Sequence, residues 1–158
     1  MKFPIKKYST VKSFKIDYYL NLKKSFQSID LENLKKMITI LDKAYKNKNT
    51  KVIVCGNGGS AALADHFACD HQKILNEIKG LRPFVVSLSS NGPLITAISN
   101  DRKYDYVFSD QIKQIGKPSD ILITISSSGK SKNIINAIKV AKKMSLKTIS
   151  LTGFSGGL

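Results

Sequence analysis

The sequence has no tryptophan, four prolines and two cysteines in 158 residues, and what it lacks narrows the class of protein. Cys55 and Cys69 belong to no CxxC pattern, so we predict no disulfide framework but two buried free thiols in a reducing, cytoplasmic compartment. No apolar run is long enough to cross a bilayer, and the first 20 residues lack the apolar stretch of a signal peptide. We therefore expect one domain over residues 1–158 that does not associate with a membrane.

Acidic residues are also scarce, with 11 against 26 basic ones, which gives a formal net charge of +15. Such a surface could attract a nucleic-acid backbone, or it could be a set of solvated lysines. All but two of the basic residues are lysine, the exceptions being Arg82 and Arg102. Reading of base edges favours arginine, and no nucleic-acid motif is visible. We expect no nucleic-acid partner.

The first third of the chain has helical periodicity in two segments. Apolar residues recur every three or four positions over residues 10–29, at Val11, Phe14, Tyr18, Leu22 and Phe26. After Asp30, a predicted N-cap, a second stripe comprises Leu31, Leu34, Met37, Ile38, Leu41 and Tyr45. This predicts a helical pair within residues 1–49 that covers a sheet or pairs with another subunit.

From residue 51 onward, short β-branched runs alternate with helical segments. Strands are predicted at residues 51–55, 84–88, 120–126 and 147–152, and helices at residues 61–79, 93–99, 104–115 and 131–143. Apolar strands that alternate with helices are typical of a parallel sheet covered on both faces. We predict an α/β fold with a doubly wound parallel sheet over residues 50–158, preceded by the two N-terminal helices.

Two loops rich in glycine and serine follow predicted strands and precede predicted helices. They are GNGGS at residues 56–60 and SSSGKS at residues 126–131. Both should lie at the carboxyl edge of the sheet, where such folds bind ligands and where helix N-termini favour anions. Neither has the spacing of a dinucleotide fingerprint or a Walker loop. Either could be an ordinary strand-to-helix turn, but two of them in one sheet favour a phosphate site.

His66 and Asp70 are four residues apart on the helix that follows GNGGS. This spacing places both side chains on one face, one turn apart. The pair could hold a metal ion, or it could be a base with a partner that orients it. It could equally be a surface contact without function.

Taken together, these motifs resemble those of a known family. The run CGNGGSAALADHFACD at residues 55–70, the pair Asn100–Asp101 and the serine loop with its helix and strand at residues 121–153 occur in the same order as in the phosphoheptose isomerases of the SIS (sugar isomerase) superfamily. The resemblance implies a flavodoxin-like SIS fold. It also implies an aldose–ketose isomerase that acts on sedoheptulose 7-phosphate, in the cytoplasm, to supply heptose for lipopolysaccharide or capsule. A basic surface would help to recruit such an anion.

The resemblance assigns a role to each matching residue. Asn57, Gly58, Gly59 and Ser60 would line the sugar-phosphate site, Ser126, Ser127, Ser128 and Ser131 would hold the phosphate, and Asn100 and Asp101 would contact the sugar. His66 would be a ligand of a zinc ion. Asp70 matches a glutamate that serves as catalytic base and metal ligand. The family also forms homotetramers, so we expect a homo-oligomer.

Two departures from the family pattern lead to a second hypothesis. Asp70 is one methylene shorter than the family's glutamate, and residues 50–158 lack the C-terminal helix that carries a glutamine and a histidine in the family. We expect a chain of this length to bind sugar phosphate but to isomerise it poorly. The alternative is a non-catalytic SIS module that binds a sugar phosphate or a protein, as the replication-initiator-associating proteins do.

Overall fold

The computed structural model describes Pro4, residues 6–154 and Gly156. Most of the final residues, on which the expectation of a shortened C-terminus depends, lie outside this described part. The chain divides into two compact units, with the boundary between Thr39 and Ile40. The organisation as a single domain with a helical pair at residues 1–49 stays a prediction.

The two N-terminal helices form as their periodicity indicates. Helix α1 spans Val11–Gln27, and the Thr10 side chain caps it by accepting a hydrogen bond from the backbone N–H of Ser13. Helix α2 spans Leu31–Lys46. Oδ1 of Asp30 accepts from the backbone N–H groups of Glu32 and Asn33, which confirms the predicted N-cap.

Four parallel strands form one sheet in the order β2-β1-β3-β4. They are β1 Val52–Gly56, β2 Val85–Ser87, β3 Ile121–Ser126 and β4 Lys147–Thr152. Val52 pairs with Val85 on one side and with Ile121 on the other. This order reverses direction between β1 and β3, the arrangement of a flavodoxin-like fold. The doubly wound parallel sheet is therefore confirmed.

Helices connect the strands by crossovers on both faces of the sheet. They are α3 Gly59–Leu75, α4 Gly92–Asp101, a 3-10 helix Tyr104–Tyr106, α5 Ser109–Ile115 and α6 Lys132–Lys143. The crossovers from β1 to β2 and from β3 to β4 run in opposite directions. Because such crossovers are right-handed, α3 and α6 lie on opposite faces.

The prediction of one continuous helix over residues 104–115 is wrong. The 3-10 helix ends at Tyr106, and α5 begins only at Ser109. Val107, Phe108 and Ser109 are all buried. Consecutive residues of an α-helix point in different directions, so the backbone breaks here to place all three against the core.

One core cluster fills the space between the sheet and helices α5 and α6. Ile53 and Cys55 of β1 point into it, whereas the alternating Val52 and Val54 point to the other face. Burial raises the pKa of the Cys55 thiol. The prediction of two buried thiols is wrong for Cys69, which is exposed because it lies on the outer side of α3.

Among the described residues, no helix is long and apolar enough to span a membrane.

Candidate functional site

The loop after β1 turns sharply into α3, and its glycines make this turn possible. A Cβ atom at Gly56 would lie 2.4 Å from the backbone oxygen of Ser60, so only glycine fits there. Gly58 has φ +55° and ψ −121°, a conformation that side chains disfavour. Gly59 begins the helix, and a Cβ there would point into open space. The loop therefore leaves the backbone at the N-terminus of α3, which is the positive end of the helix dipole, uncovered by side chains.

The serine loop after β3 is organised by its own hydroxyls. Oγ of Ser126 accepts from the backbone N–H of Gly129, and Oγ of Ser128 accepts from that of Lys130. A hydroxyl that accepts in this way still has its own O–H to donate. Ser131 is the N-cap of α6, but its side chain makes no capping hydrogen bond. The loop thus offers several hydroxyl donors beside a helix N-terminus.

The structure brings these two loops together at the centre of the sheet. They follow β1 and β3, the neighbouring strands between which the connections change direction, and this is where open α/β sheets bind ligands. The Asn57 and Asn133 side chains form a reciprocal amide pair across this point. Nδ2 of Asn57 lies 2.9 Å from Oδ1 of Asn133, and Nδ2 of Asn133 lies 2.8 Å from Oδ1 of Asn57.

A third segment reaches the same place. The hydroxyl of Tyr104 donates to Oδ1 of Asn57 over 2.9 Å. Tyr104 follows shortly after Asn100 and Asp101, the exposed pair at the end of α4, in which Nδ2 of Asn100 donates to Oδ1 of Asp101 over 3.0 Å. The predicted sugar-contacting pair is therefore only three residues from a side chain that touches the loop after β1.

His66 and Asp70 contact each other as their spacing predicts. Nε2 of His66 lies 3.1 Å from Oδ2 of Asp70, and the two side chains are 74% and 44% exposed. With a helical rise of 1.5 Å per residue, His66 lies about 10 Å and Asp70 about 16 Å from Gly59 along α3. The pair is thus separate from the hydrogen bonds that join the two loops.

The side chains of His66 and Asp70 supply fewer ligands than a zinc site requires. Catalytic zinc sites use three protein ligands and leave one position open for water or substrate. His66 and Asp70 supply two, and the described part of the chain contains no group of three or more His, Cys, Asp or Glu side chains placed to hold a metal ion. The described residues of one chain therefore do not form a complete zinc site.

Sequence reasoning missed three residues that organise the loops. Asn133 and Tyr104 were not singled out, and neither was Ser89, whose hydroxyl donates to the Gly56 carbonyl. A signal existed for one of them. Asn133, Ala137 and Ala141 share the buried stripe of α6, so Asn133 is a polar residue on an apolar face. Such a residue requires a hydrogen-bonding partner, although its spacing does not say which one.

Comparison with known proteins places this chain in a family. The pattern of the SIS domain matches residues 16–153. The phosphoheptose isomerase of Helicobacter pylori (strain P12) is 43% identical over 137 residues, which cover 86% of this chain and 69% of that protein. The chain belongs to the phosphoheptose isomerase family.

Two further members of the phosphoheptose isomerase family are similar over more of the chain. The phosphoheptose isomerase of Buchnera aphidicola subsp. Schizaphis graminum is 41% identical over 153 residues, or 95% of this chain and 77% of that protein. The solved structure of phosphoheptose isomerase GmhA from Neisseria gonorrhoeae superposes with a TM-score of 0.82 at 33% identity, and covers 94% of this chain and 78% of that one. Both the family and the SIS fold expected from the motifs are therefore confirmed.

Proposed function

We propose that this chain is an aldose–ketose isomerase that interconverts sedoheptulose 7-phosphate and the corresponding heptose phosphate. The observation that carries the proposal is the meeting of the two loops at the switch point of the sheet, joined through Asn57 and Asn133, in a member of the phosphoheptose isomerase family. The contact between the turns at GNGGS and SSSGKS supports a single site formed by both.

The phosphate is proposed to bind between the N-termini of α3 and α6. Backbone N–H groups and the helix dipoles at both ends favour an anion. The hydroxyls of Ser126, Ser127, Ser128 and Ser131 are the proposed side-chain donors, and Gly58, Gly59 and Ser60 let the ligand approach the backbone. The net charge of +15 supports this assignment, because it raises the local concentration of an anionic substrate.

Asp70 is the proposed catalytic base. Its carboxylate would take the C1 proton of the ketose, the electron pair of that bond would form the C1–C2 double bond, and O2 would become an enediolate oxygen. Return of that proton to C2 and transfer of the O1 proton to O2 then give the C1 aldehyde and the C2 hydroxyl, with no net gain or loss of protons. The contact with Nε2 of His66 supports this role, because it orients the carboxylate.

Zinc, cellular location and assembly are proposals of the same kind. His66 and Asp70 would supply two ligands to a zinc ion, which as a Lewis acid would stabilise an enediolate oxygen. No step above requires the ion. Heptose supply for lipopolysaccharide or capsule, a cytoplasmic location and a homotetramer follow from the family resemblance. Asn100 and Asp101 would contact the sugar.

The proposal is tested by measuring binding and turnover of sedoheptulose 7-phosphate separately. We expect calorimetry to show binding and NMR in deuterated water to show deuterium incorporation next to the carbonyl. Asp70→Asn should retain binding and lose about 10²–10⁴ of the exchange rate, the usual contribution of a general base. Binding without exchange in the unmodified chain would favour the non-catalytic module, and absence of binding would refute the isomerase and leave only a module that binds a protein.

The phosphate assignment has its own test. Ser131→Ala should weaken binding by about 1.5–3 kcal/mol, the value of a hydrogen bond to a charged group, without loss of stability, because this hydroxyl makes no capping bond. Ser25→Ala is the control, since it removes a serine hydroxyl that belongs to α1 and to neither loop. The double variant with Ser126→Ala should bind more weakly still. Unchanged affinity in a folded double variant would contradict the assignment.

A further inference from the structure

The side chain of Asn57 is the point where three segments of the proposed site meet. Asn57 belongs to the loop after β1, Asn133 to the first turn of α6, and Tyr104 to the 3-10 helix after Asn100 and Asp101. Both side chains that contact Asn57 do so at its amide. The pairing spans residues that are 76 positions apart in one case and 47 in the other.

The hydrogen bonds fix the orientation of both amides. Oδ1 of Asn57 accepts from Asn133 and from Tyr104, which occupies both of its lone pairs. Oδ1 of Asn133 accepts from Asn57 and from the backbone N–H of Ile134 over 3.0 Å. Turning either amide over would place N–H groups against N–H groups. Both hydrogen bonds accepted by Oδ1 of Asn57 therefore come from protein side chains.

Burial distinguishes the two partners of Asn57. Asn133 is only 2% exposed, so loss of its amide would leave buried groups unpaired and would destabilise the fold as well as the site. Tyr104 is 50% exposed, and its hydroxyl bond to Asn57 is on the surface. A bond in that position contributes little to folding, so its main consequence is where Asn57 and the 3-10 helix lie relative to each other.

We infer that Asn133 and Tyr104 are positioning residues. They act through Asn57 to fix the position of the loop after β1 relative to the serine loop and to Asn100–Asp101. This inference rests on the proposed sugar-phosphate site. A second bond supports it, because Nδ2 of Asn136 donates to the carbonyl of Asp105 over 3.0 Å and ties the 3-10 helix to α6. The loops that receive the phosphate and the segment that meets the sugar therefore move as one unit.

The first experiment removes one hydroxyl and keeps the ring. Tyr104→Phe should weaken binding of sedoheptulose 7-phosphate about two- to tenfold, the effect of one neutral hydrogen bond, with an unchanged unfolding temperature. Tyr106→Phe is the matched control. It lies in the same 3-10 helix and keeps its ring contact with Arg102, whose Cζ is 4.6 Å from the ring centroid, and it should bind as the unmodified chain does.

A double-variant cycle separates positioning from direct contact with the ligand. If Tyr104 acts through Asn57, Tyr104→Phe should have no further effect on affinity in an Asn57→Ala background. If Tyr104 contacts the ligand itself, the two losses should multiply, and this result would overturn the inference. Asn133→Ala should give the same non-additivity with Asn57→Ala, provided that circular dichroism shows a folded chain.

A measurement without ligand keeps this inference distinct from the proposed function. In NMR spectra of the free protein, Tyr104→Phe should shift the backbone amides of Gly58, Gly59 and Ser131, whereas Tyr106→Phe should leave them in place. If the unmodified chain binds no sugar phosphate, the proposed function fails, but these shifts still decide whether Tyr104 positions the loops. Unshifted loop amides would refute the positioning role, whatever the ligand.

Discussion

The three glycines of the loop after β1 differ in what a side chain would meet. At Gly56 a Cβ would collide with the backbone of Ser60, and at Gly58 the backbone conformation itself disfavours a side chain. At Gly59 neither reason applies, because the space is open and the residue is helical. The fold therefore does not require a glycine at Gly59, and we propose that a ligand approaching the backbone does.

The first prediction follows from this difference. Gly59→Ala should leave the unfolding free energy unchanged or raise it by up to about 1 kcal/mol, because alanine favours a helix, but it should weaken sugar-phosphate binding at least tenfold by blocking the backbone. Gly92→Ala is the matched control, since Gly92 also begins a helix and its Cβ would also meet open space. Equal affinities in the two variants, measured by calorimetry, would contradict the prediction.

At the scale of residues, the sequence allowed the loops to be predicted but not the contacts between them. GNGGS and SSSGKS are contiguous motifs, so their turns could be recognised locally. The pairing of Asn57 with Asn133 depends on β1 lying beside β3, and no local pattern encodes that neighbour. The exposure of Cys69 was missed for a similar reason, because an apolar sequence context does not say which side of α3 faces outward.

At the scale of elements, a buried ion pair links the residues that precede β1 and β3, at the amino-terminal ends of these strands. Nζ of Lys51 lies 2.8 Å from Oδ2 of Asp120, with 11% and 1% of the side chains exposed. Asp120 also accepts from the backbone N–H groups of Lys51 and Lys117. This carboxylate lies where both strands begin, at the edge of the sheet opposite the GNGGS and SSSGKS loops.

The second prediction concerns this ion pair. Asp120→Ala should lower the unfolding free energy by about 3–5 kcal/mol, because Lys51 is left as an uncompensated buried charge. Asp42→Ala removes an exposed carboxylate that pairs with Lys46 and should cost no more than about 1 kcal/mol. Urea titration of both variants checks the difference. Equal unfolding midpoints would show that the Lys51–Asp120 pair does not stabilise the fold.

The third prediction uses the ion cluster that joins α5 to the end of α4. Asp110 contacts Arg102 and, over 3.0 Å, Nζ of Lys113. Burial by itself would raise the pKa of the Asp110 carboxyl, but the hydrogen bonds and charges of Lys113 and Arg102 outweigh it and hold the pKa below its usual range. The ionised carboxylate therefore stabilises the folded chain above the unfolded pKa of about 3.9.

Acid should remove this contribution as the pH falls through the lowered pKa of the folded state. We expect the difference in unfolding temperature between the unmodified chain and Asp110→Asn to be constant from about pH 7 to pH 5 and to shrink below about pH 4. Comparison with the asparagine variant cancels the titration of other carboxylates. A difference that grew in acid would mean that the protonated form is the one favoured by folding.

Elements were predicted well where burial and periodicity agree. The strands are β-branched runs, of which β1, β2 and β3 are largely buried and β4 is mostly exposed, and all four lie within two residues of their predicted bounds. The break between the 3-10 helix and α5 was missed because Tyr104 to Ile115 has helical periodicity, and only the packed core shows that Val107, Phe108 and Ser109 are all buried. Tertiary packing overrode local propensity there.

At the scale of the whole molecule, the exposed apolar side chains of α1 bear on the proposed assembly. Every residue of α1 is described, and none is buried. Large apolar side chains on it, including Tyr19 and Phe26, are 62% and 66% exposed. Exposed apolar surface of this kind is typical of interaction sites, and on the basis of the family resemblance we propose another copy of the chain as the partner.

The fourth prediction is that the chain is a homo-oligomer, with a tetramer as the proposed state. Light scattering at micromolar concentration should give a multiple of 17.5 kDa. Tyr19→Glu with Phe26→Glu, two positions seven residues apart and so on one face, should shift the mass toward the monomer. Lys24→Glu, about 140° around the helix from Tyr19, should not. A monomeric unmodified chain would refute the prediction.

The amide pair between Asn57 and Asn133 can form only late in the synthesis of the chain. The pair closes a loop of 76 residues, and closing so long a loop costs entropy that only the finished β1–β3 pairing offsets. During synthesis, the loop after β1 leaves the ribosome well before the serine loop has been translated. A nascent chain that has emerged only as far as α5 therefore contains the turn into α3 but not the serine loop, and so lacks half of the proposed phosphate site.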